Sequence, residues 1–594
     1  MSETYSRYWP AGLPRSLSLP EKTICDCLDA SAQRFPGKPC VIYYDTVLSY
    51  AQFREESGRL AAYLQNVCGV RPGDRVLLCA QNSPQFSMAY YAIARVGAVI
   101  VPITPMSREA EFAHYIEDSG ARTLIAAQEM LPYVSRFMRE GRLEFGIIAC
   151  YADWIREPTE LKLPKSVAAP RVTDLPRGCV PWFQAAACKQ PLQKVPIGMG
   201  DLCVMPYTSG TTGYPKGCMH SHYNVMFTAT AGMTWRETKE HDVIMAVTPM
   251  FHVSGMQRCL NGPIIVGCTT VILTRWDANV AAAVIERYGI TSWTGVPTMF
   301  IDLLGNPELD GYDLSSLTAL GGGGAAMPAA IKLRMDERLG VPYVEGYGLT
   351  ETLGPSHINP PQRPKVQCLG IPIFDTQSYI MDPDTGKRLP ANEIGEIIIR
   401  GPQLFHGYWK DETATAAAFV DLDGASYFKT GDLGYIDEDG YFFIVDRMKR
   451  MINASGFKVW PAEVEALFYE HPAVRELCII AAPDPHRGET VKAVIVLESN
   501  CDPLPTEAEL ITWARARMSA YKVPRLIEFV SELPKSGTGK VQWRSLQERE
   551  VSGSKTKFAP TDTAPESHPF QGLYPNGNQN DGPSSSGPDV LLKF

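Results

Sequence analysis

The sequence predicts an α/β protein of more than one domain, and three observations lead there. The chain has 594 residues, too many for a single hydrophobic core. Up to about residue 200 it alternates helix-period and strand-type segments, the pattern of a parallel sheet with crossover helices. Further on, the tract LGGGGAA at 320–326 follows a strand-like run, where glycines mark close backbone approach to a ligand or a neighbouring chain.

Taken in order, residues 24–35 carry apolar side chains at helical spacing, 41–44 form a short strand and 49–67 an amphipathic helix. A strand at 75–79, a helix at 83–96 and a strand opening at 97–101 continue the alternation. The Pro-rich, charged region 156–196 has no readable order and is expected to be surface excursions. Residues 243–247 read as a buried strand ending at Thr248-Pro249, followed by the turn MFHVSG at 250–255. Residues 474–497 are strand-rich and 507–518 read as a helix. From 551 to 594 Pro, Ser, Gly, Asn and Asp replace any apolar period, which predicts a disordered tail.

Composition narrows the class. A hydrophobic fraction of 45% with 20% charged residues is ordinary for a globular protein. With 56 basic against 65 acidic residues the net charge is −9, which argues against nucleic acid as the main partner. Fifteen cysteines are scattered without a CxxC pair or a Cys/His ligand spacing, so reduced thiols in a cytoplasmic compartment are expected. The opening MSETYSRYWPAG lacks a basic-then-apolar leader pattern, and the closing LLKF is not a usual organelle signal. No apolar run reaches the roughly 18–20 residues of a membrane span.

Three motifs carry chemistry. In YTSGTTGYPKG at 207–217, glycines let consecutive N–H groups point into one concavity, hydroxyls add donors, and Lys216 adds a mobile positive charge. That suits a polyphosphate; the alternative is a flexible linker. The ordinary phosphate loop is excluded, because Gly217 and Cys218 stand where Ser or Thr would follow the lysine. In GYGLTET at 346–352, Tyr347 between Gly346 and Gly348 can lay its ring on a purine, Thr350 offers a hydroxyl, and Glu351 a carboxylate for Mg²⁺. Alone, this stretch could be a helix start. The third motif is YFKTGDLG at 427–434, where Asp432 suits a ribose, then IDEDG at 436–440, read as a hairpin turn, and YFFIVDR at 441–447. Pro461 then opens a helix with Glu463 and Glu465 in its first turn, and LPKSGTGK at 533–540 ends on Lys540.

These motifs, in this order, resemble the adenylate-forming (AMP-binding) superfamily, in particular the acyl-CoA synthetases and fatty-acid–CoA ligases, over residues of about 20 to 550. The resemblance implies a large N-terminal ATP- and acyl-binding domain over 1–446, built of α/β sheets plus β-structure, and a small mobile C-terminal α+β domain over 447–550. Asp446 matches the hinge. It implies a phosphate cradle of Thr208, Ser209, Gly210, Thr211, Thr212 and Gly213 with Lys216, and Glu351 as metal ligand. Gly346, Tyr347, Gly348, Thr350, Asp432 and Arg447 would hold the nucleotide, and His252 would line the pocket rather than act as a base. Gly322, Gly323, Gly324 and Ala325 would lie along adenine and acyl group, their small size leaving space. Lys540 would act in adenylation, with Thr208, Lys216 and Glu351 completing the catalytic set. Gly456 and Lys458 would come forward when the CoA thiol attacks. ATP, Mg²⁺ and CoA are the implied cofactors and a small-molecule carboxylic acid the partner, whether fatty, aryl or small branched or hydroxylated, with a homodimer one assembly open to it and neither nucleic acid nor an integral membrane segment. Arg450 departs from the pattern, which often has an acid there, and puts an ion pair at that place in question. An enzyme loading a carrier protein, an oxidative relative such as a luciferase, and a silent AMP-binding protein remain alternatives.

Overall fold

The structure, a computed structural model, describes residues 7–208, 215–324, 327–447, 450–454, 457–484, 488–498, 503–536 and 539–552. Among them the strands form four sheets. A nine-stranded sheet is parallel at its centre, through Thr269–Ile272, Val243–Ala246, Ser292–Gly295, Ala319–Gly323 and Tyr343–Leu349, with antiparallel edges. A seven-stranded sheet runs parallel through Phe145–Ala149, Thr123–Ala127, Arg75–Cys79, Val99–Pro102 and Leu202–Val204. Helices Ile24–Arg34, Tyr50–Asn66 and Pro84–Arg95 join them: one buried core links Leu78, Ile100 and Ile125 of the second sheet to Met245, Val271 and Leu320 of the first.

The three helices begin where the sequence says they should. Thr23 and Ser49 each accept the N3 backbone N–H in a capping box, and Ser83 accepts from Phe86 with Pro84 at the first position. One expectation is corrected. The strand expected at 41–44, observed as Pro39–Tyr43, does not share a sheet with Arg75–Cys79; it pairs with Thr269–Ile272 in the nine-stranded sheet and forms a hairpin with Thr46–Ser49. The hairpin turns on Tyr44 and Asp45, both at positive φ (43° and 70°), the twist that matches two-residue loops. Region 156–196 holds only short pieces, Lys165–Ala168, Cys179–Pro181 and Trp182–Ala186.

The third sheet is antiparallel: Gln377–Met381, Gly395–Arg400, Phe419–Leu422, Ala425–Ile436 and Phe442–Arg447. The turn at IDEDG is present, with the Asp437 carboxylate accepting the N–H groups of Asp439 (3.0 Å) and Tyr441 (2.9 Å). Beyond Arg447 a fourth sheet, centred on Val474–Asp484 and Gly488–Leu497, has its own core. Val464, Phe468 and Leu510 of helices Pro461–Phe468 and Glu507–Arg515 cover one face with Leu477, Ile479 and Ile495; Leu546 of Trp543–Ser552 meets Cys478, Ile480 and Val494 on the other. That last helix runs two residues into the stretch expected to be tail, and 553–594 lie outside the described residues. All fourteen described cysteines are free. No described helix is long and apolar enough to cross a membrane.

Candidate active site

The site lies where the C-terminal ends of the central strands meet the third sheet and the small domain. Of the phosphate-cradle motif, the two stems are in view. Thr208 N donates to Lys216 O (2.9 Å) and Lys216 N to Thr208 Oγ1 (3.3 Å), with a bridge between Tyr207 and Gly217, so the stretch leaves and returns at one point. His114 bonds the Pro215 carbonyl (2.8 Å) and Tyr207 donates to Asp118 (2.5 Å), pinning both stems. Ser209, Gly210, Thr211, Thr212 and Gly213 lie outside the described residues. The Lys216 ammonium does not reach the other site residues: it pairs with Asp411 (2.9 Å) above the Tyr408 ring.

Strand Tyr343–Leu349 and the single turn Thr350–Thr352 deliver the second motif. Tyr347 donates to Asp432 Oδ2 (2.6 Å), and Arg447 Nε meets Oδ1 at 2.8 Å, across the register Asp432↔Arg447. The carboxylate is 1% exposed and both of its oxygens are engaged. Tyr347 is itself 8% exposed, against His357, so its evident work is to hold Asp432 in place. Gly346 and Gly348 lie within the same strand, and the Thr350 carbonyl accepts from His220 Nε2 (2.8 Å). Glu351 accepts from Tyr408 (2.8 Å), and burial pushes its carboxyl upward, the Tyr408 bond opposing. The described residues offer no cluster of three or more acidic, His or Cys ligands. One buried carboxylate fits Mg²⁺, which arrives with polyphosphate oxygens and water, and would not fit a metal needing a full protein cage.

From the small domain, Lys540 enters this site. It sits on a turn closed by Ser536 N donating to Lys540 O (2.7 Å) and Lys540 N donating to Ser536 Oγ (3.2 Å). A Cβ on Gly324, at φ +81°, would fall 2.5 Å from Lys540 Cε and 2.9 Å from Nζ, so only glycine lets the lysine lie against this backbone. Burial and then the Arg447 charge push the ammonium below its usual value, while Asp432 pulls the other way. His252 caps the turn Val253–Gly255, part of its ring open to the cavity; burial, then Lys540, push it down to about 3. It is neutral at ordinary pH.

The glycine tract differs from expectation. Ala319–Gly323 is the strand itself, not a loop after it, and along the Cβ direction of its glycines other groups of the protein approach closely. A Cβ at Gly321 would lie 2.7 Å from Thr294 Oγ1 and 3.2 Å from both terminal nitrogens of Arg236; at Gly322 it would meet the Tyr343 hydroxyl, and at Gly323 the Gly346 carbonyl. Ala325 is outside the described residues.

At the hinge position, Asp446 accepts from Ala462 N (2.9 Å) and Arg447 N (2.6 Å). Arg450, whose ion pair was in question, pairs with Glu465 (2.6 Å), approaches Asp446 (3.8 Å) and donates to the Ile479 carbonyl (3.2 Å). Gly456 and the Lys458 side chain lie outside the described residues; the Lys458 backbone pairs with Asn453. Sequence reasoning missed Tyr408, Asp411 and Arg236. None belongs to a periodic or glycine-rich signal, and each matters only through a partner far along the chain.

Comparison with known proteins agrees with this geometry. The family model described as AMP-binding enzyme matches residues 28–409, and its AMP-binding enzyme C-terminal domain matches 463–540. The chain belongs to the AMP-binding enzyme family. Among its relatives, the long-chain-fatty-acid–CoA ligase of Bacillus subtilis is 34% identical over 558 residues, covering 92% of this chain and 98% of the relative. The feruloyl-CoA synthase of an Amycolatopsis species is 32% identical, covering 86% and 95%. Among solved structures, an anthranilate CoA ligase in complex with anthranoyl-AMP superposes with TM-score 0.79 at 28% identity, covering 90% of this chain and 98% of that one.

Proposed function

We propose that the protein is an AMP-forming acid–thiol ligase using ATP, Mg²⁺ and CoA. In the first step a carboxylate oxygen attacks the α-phosphorus of ATP, the bond to the β-phosphate breaks, and acyl-AMP and pyrophosphate form. The acid is already anionic at neutral pH, so no protein base is needed and catalysis is positioning plus electrostatics. In the second step the CoA sulfur attacks the acyl carbon, AMP leaves with its electron pair, and the thiol proton passes to solvent.

The observation that carries this reading is Lys540, half-buried against Gly324 beside the Asp432–Arg447 pair. An ammonium there neutralises charge developing at the α-phosphate. Asp432 and Arg447 are suited to the ribose, with Tyr347 fixing the carboxylate. Thr208 and Lys216 flank the cradle whose middle residues, 209–213, would wrap the β- and γ-phosphates. Mg²⁺, when bound, draws charge off the phosphate oxygens, and Glu351 is the residue to hold it. Residues 1–446 and 447–550 act as two domains about Asp446; withdrawal of Lys540 brings Gly456 and Lys458 to the thiol. His252, Gly322, Gly323, Gly324 and Ala325 border the acyl group. A cytoplasmic place agrees with the free thiols and with the two soluble cosubstrates. A homodimer is checked by sedimentation of the full chain.

The names of the two relatives span long-chain fatty acids and ferulate, so kinship leaves the acid open. The test is pyrophosphate release from ATP over a panel of carboxylic acids, with and without CoA. Release plus a thioester product establishes the ligase; release without any CoA product points to a carrier-protein acceptor instead. ATP binding without turnover of any acid overturns the proposal.

A further inference from the structure

Arg236 ends the helix His222–Trp235 and reaches under the glycine strand, where a Cβ on Gly321 would lie 3.2 Å from both of its terminal nitrogens. Among the described residues no carboxylate and no hydrogen-bond acceptor pairs with it. Burial and the neighbouring Arg258 push it down to about 9, and only Tyr343 acts the other way. Arg258 is half-buried like Arg236, and among the described residues it hydrogen-bonds neutral groups: Ser292 Oγ (2.8 Å), Met233 Sδ (3.2 Å) and Thr238 Oγ1 (3.3 Å), with Asp242 acting on it only through its charge. Close by, the buried Tyr343 hydroxyl has no partner among the described residues. Guanidinium groups drawn partly out of water with no carboxylate hydrogen-bonded to them are placed to receive an anionic ligand.

Their order along the strand is what gives them meaning. Ser292, which holds Arg258, is level with Ala319; Thr294, beside Arg236, is level with Gly321; Lys540 lies on Gly324. Three residues of strand separate the Arg236 and Lys540 levels, ~10 Å at the usual rise. The geometry points to Arg236, backed by Arg258, as the residue that selects the acid: the substrate carries a second hydrogen-bond acceptor, a carboxylate before all, ~10 Å from the carboxylate that is activated. A bare alkyl tail would cover the guanidinium without giving it a partner. This inference rests on the ligase reading and adds the substrate class to it.

The test compares kcat/KM for pyrophosphate release with matched acids, decanedioate against decanoate and 4-carboxycinnamate against cinnamate, in the natural chain and in Arg236→Met. The natural chain should favour the dicarboxylates by about ten-fold or more, because a polar site rejects analogues that leave it unpaired. Arg236→Met should reverse the order, and Arg236→Lys should keep much of it. 4-Hydroxycinnamate separates the sources of the acceptor: a rate near that of 4-carboxycinnamate means a neutral oxygen suffices, and the inference stands in its broader form. Thermal stabilisation by ATP and Mg²⁺, measured on each variant, certifies folding. Equal or better rates with the alkyl acids, or a uniform loss for all acids in a folded Arg236→Met, overturn the assignment while leaving the ligase intact. Silence with every acid overturns both.

Discussion

Lys216 and Lys540, the two lysines we propose for the phosphates, carry the same charge, and the fold treats them in opposite ways. Lys216 is 38% exposed, and its counter-ion Asp411 stands 2.9 Å away on the surface. Lys540 is half-buried beside a second cation, Arg447, and the neighbouring acid, Asp432, has its oxygens facing Tyr347 and Arg447. A screened surface charge gains little when phosphate arrives, since it exchanges one anion for another. A desolvated, unpaired charge gains much, because nothing must reorganise as negative charge develops in front of it.

The largest effect therefore belongs to Lys540. Its replacement by alanine should cut pyrophosphate release by about 10²–10³-fold, the range seen when one preorganised charge-stabilising group is lost. Thioester formation from supplied acyl-AMP should change by no more than a few-fold, and equal losses in both steps would break the comparison at its root. The pH profile sharpens it. Adenylation needs the charged ammonium, which is present below its pKa in the folded protein and lost as pH rises through it. Because burial lowers that pKa from 10.5, the alkaline limb of kcat/KM for ATP, which reports the free enzyme, should fall earlier than an ordinary lysine would allow. A limb at the unperturbed position would mean that Lys540 is wet when ATP binds.

Glu351 comes next, and it parallels Lys540 with the sign reversed. Burial raises its carboxyl pKa, so the folded site keeps the proton to a higher pH than a free carboxyl would until a cation arrives. Glu351→Gln should raise the Mg²⁺ concentration for half-maximal adenylation by about 10–100-fold, and Tyr408→Phe, which removes its orienting hydroxyl, by about ten-fold. In the natural chain that requirement should grow as pH falls toward the raised pKa. A Mg²⁺ titration at several pH values checks all three.

Much of this contrast was legible in the sequence, because motifs such as YTSGTTGYPKG and GYGLTET do their work through contiguous backbone. The capped helices and the turn at Asp437–Gly440 were legible for the same reason. What escaped depends on partners that lie far apart in the chain. The Tyr44-Asp45 hairpin carries no Asn-Gly or Asp-Gly signal, and its strand finds its sheet only at Thr269–Ile272. Tyr408 reaches Glu351 across 57 positions, and Arg236 meets a strand that follows far behind it. Glycines at 321 and 322 signalled close approach correctly, yet only the fold reveals that the approaching groups are Arg236 and Tyr343. Arg450 stands where the family pattern often has an acid, which put an ion pair there in question; the fold supplies one with the charges reversed, through Glu465 on the helix Pro461–Phe468.

The smallest effect tests the other lysine. Asp411 does two things: its carboxylate accepts from Ala414 N (2.8 Å) to cap the helix Glu412–Ala417, and it holds Lys216. Asparagine caps a helix about as well as aspartate, so Asp411→Asn removes only the counter-charge. If Lys216 must leave Asp411 to meet phosphate, this variant should lower KM for ATP by a few-fold with kcat and the unfolding midpoint unchanged, since the exposed pair contributes little to stability. Lys216→Ala should raise the same KM by about ten-fold, the loss of one charged contact to phosphate. A raised KM in Asp411→Asn would show that the pair aims the lysine rather than restraining it, and the two lysines would then differ in burial alone.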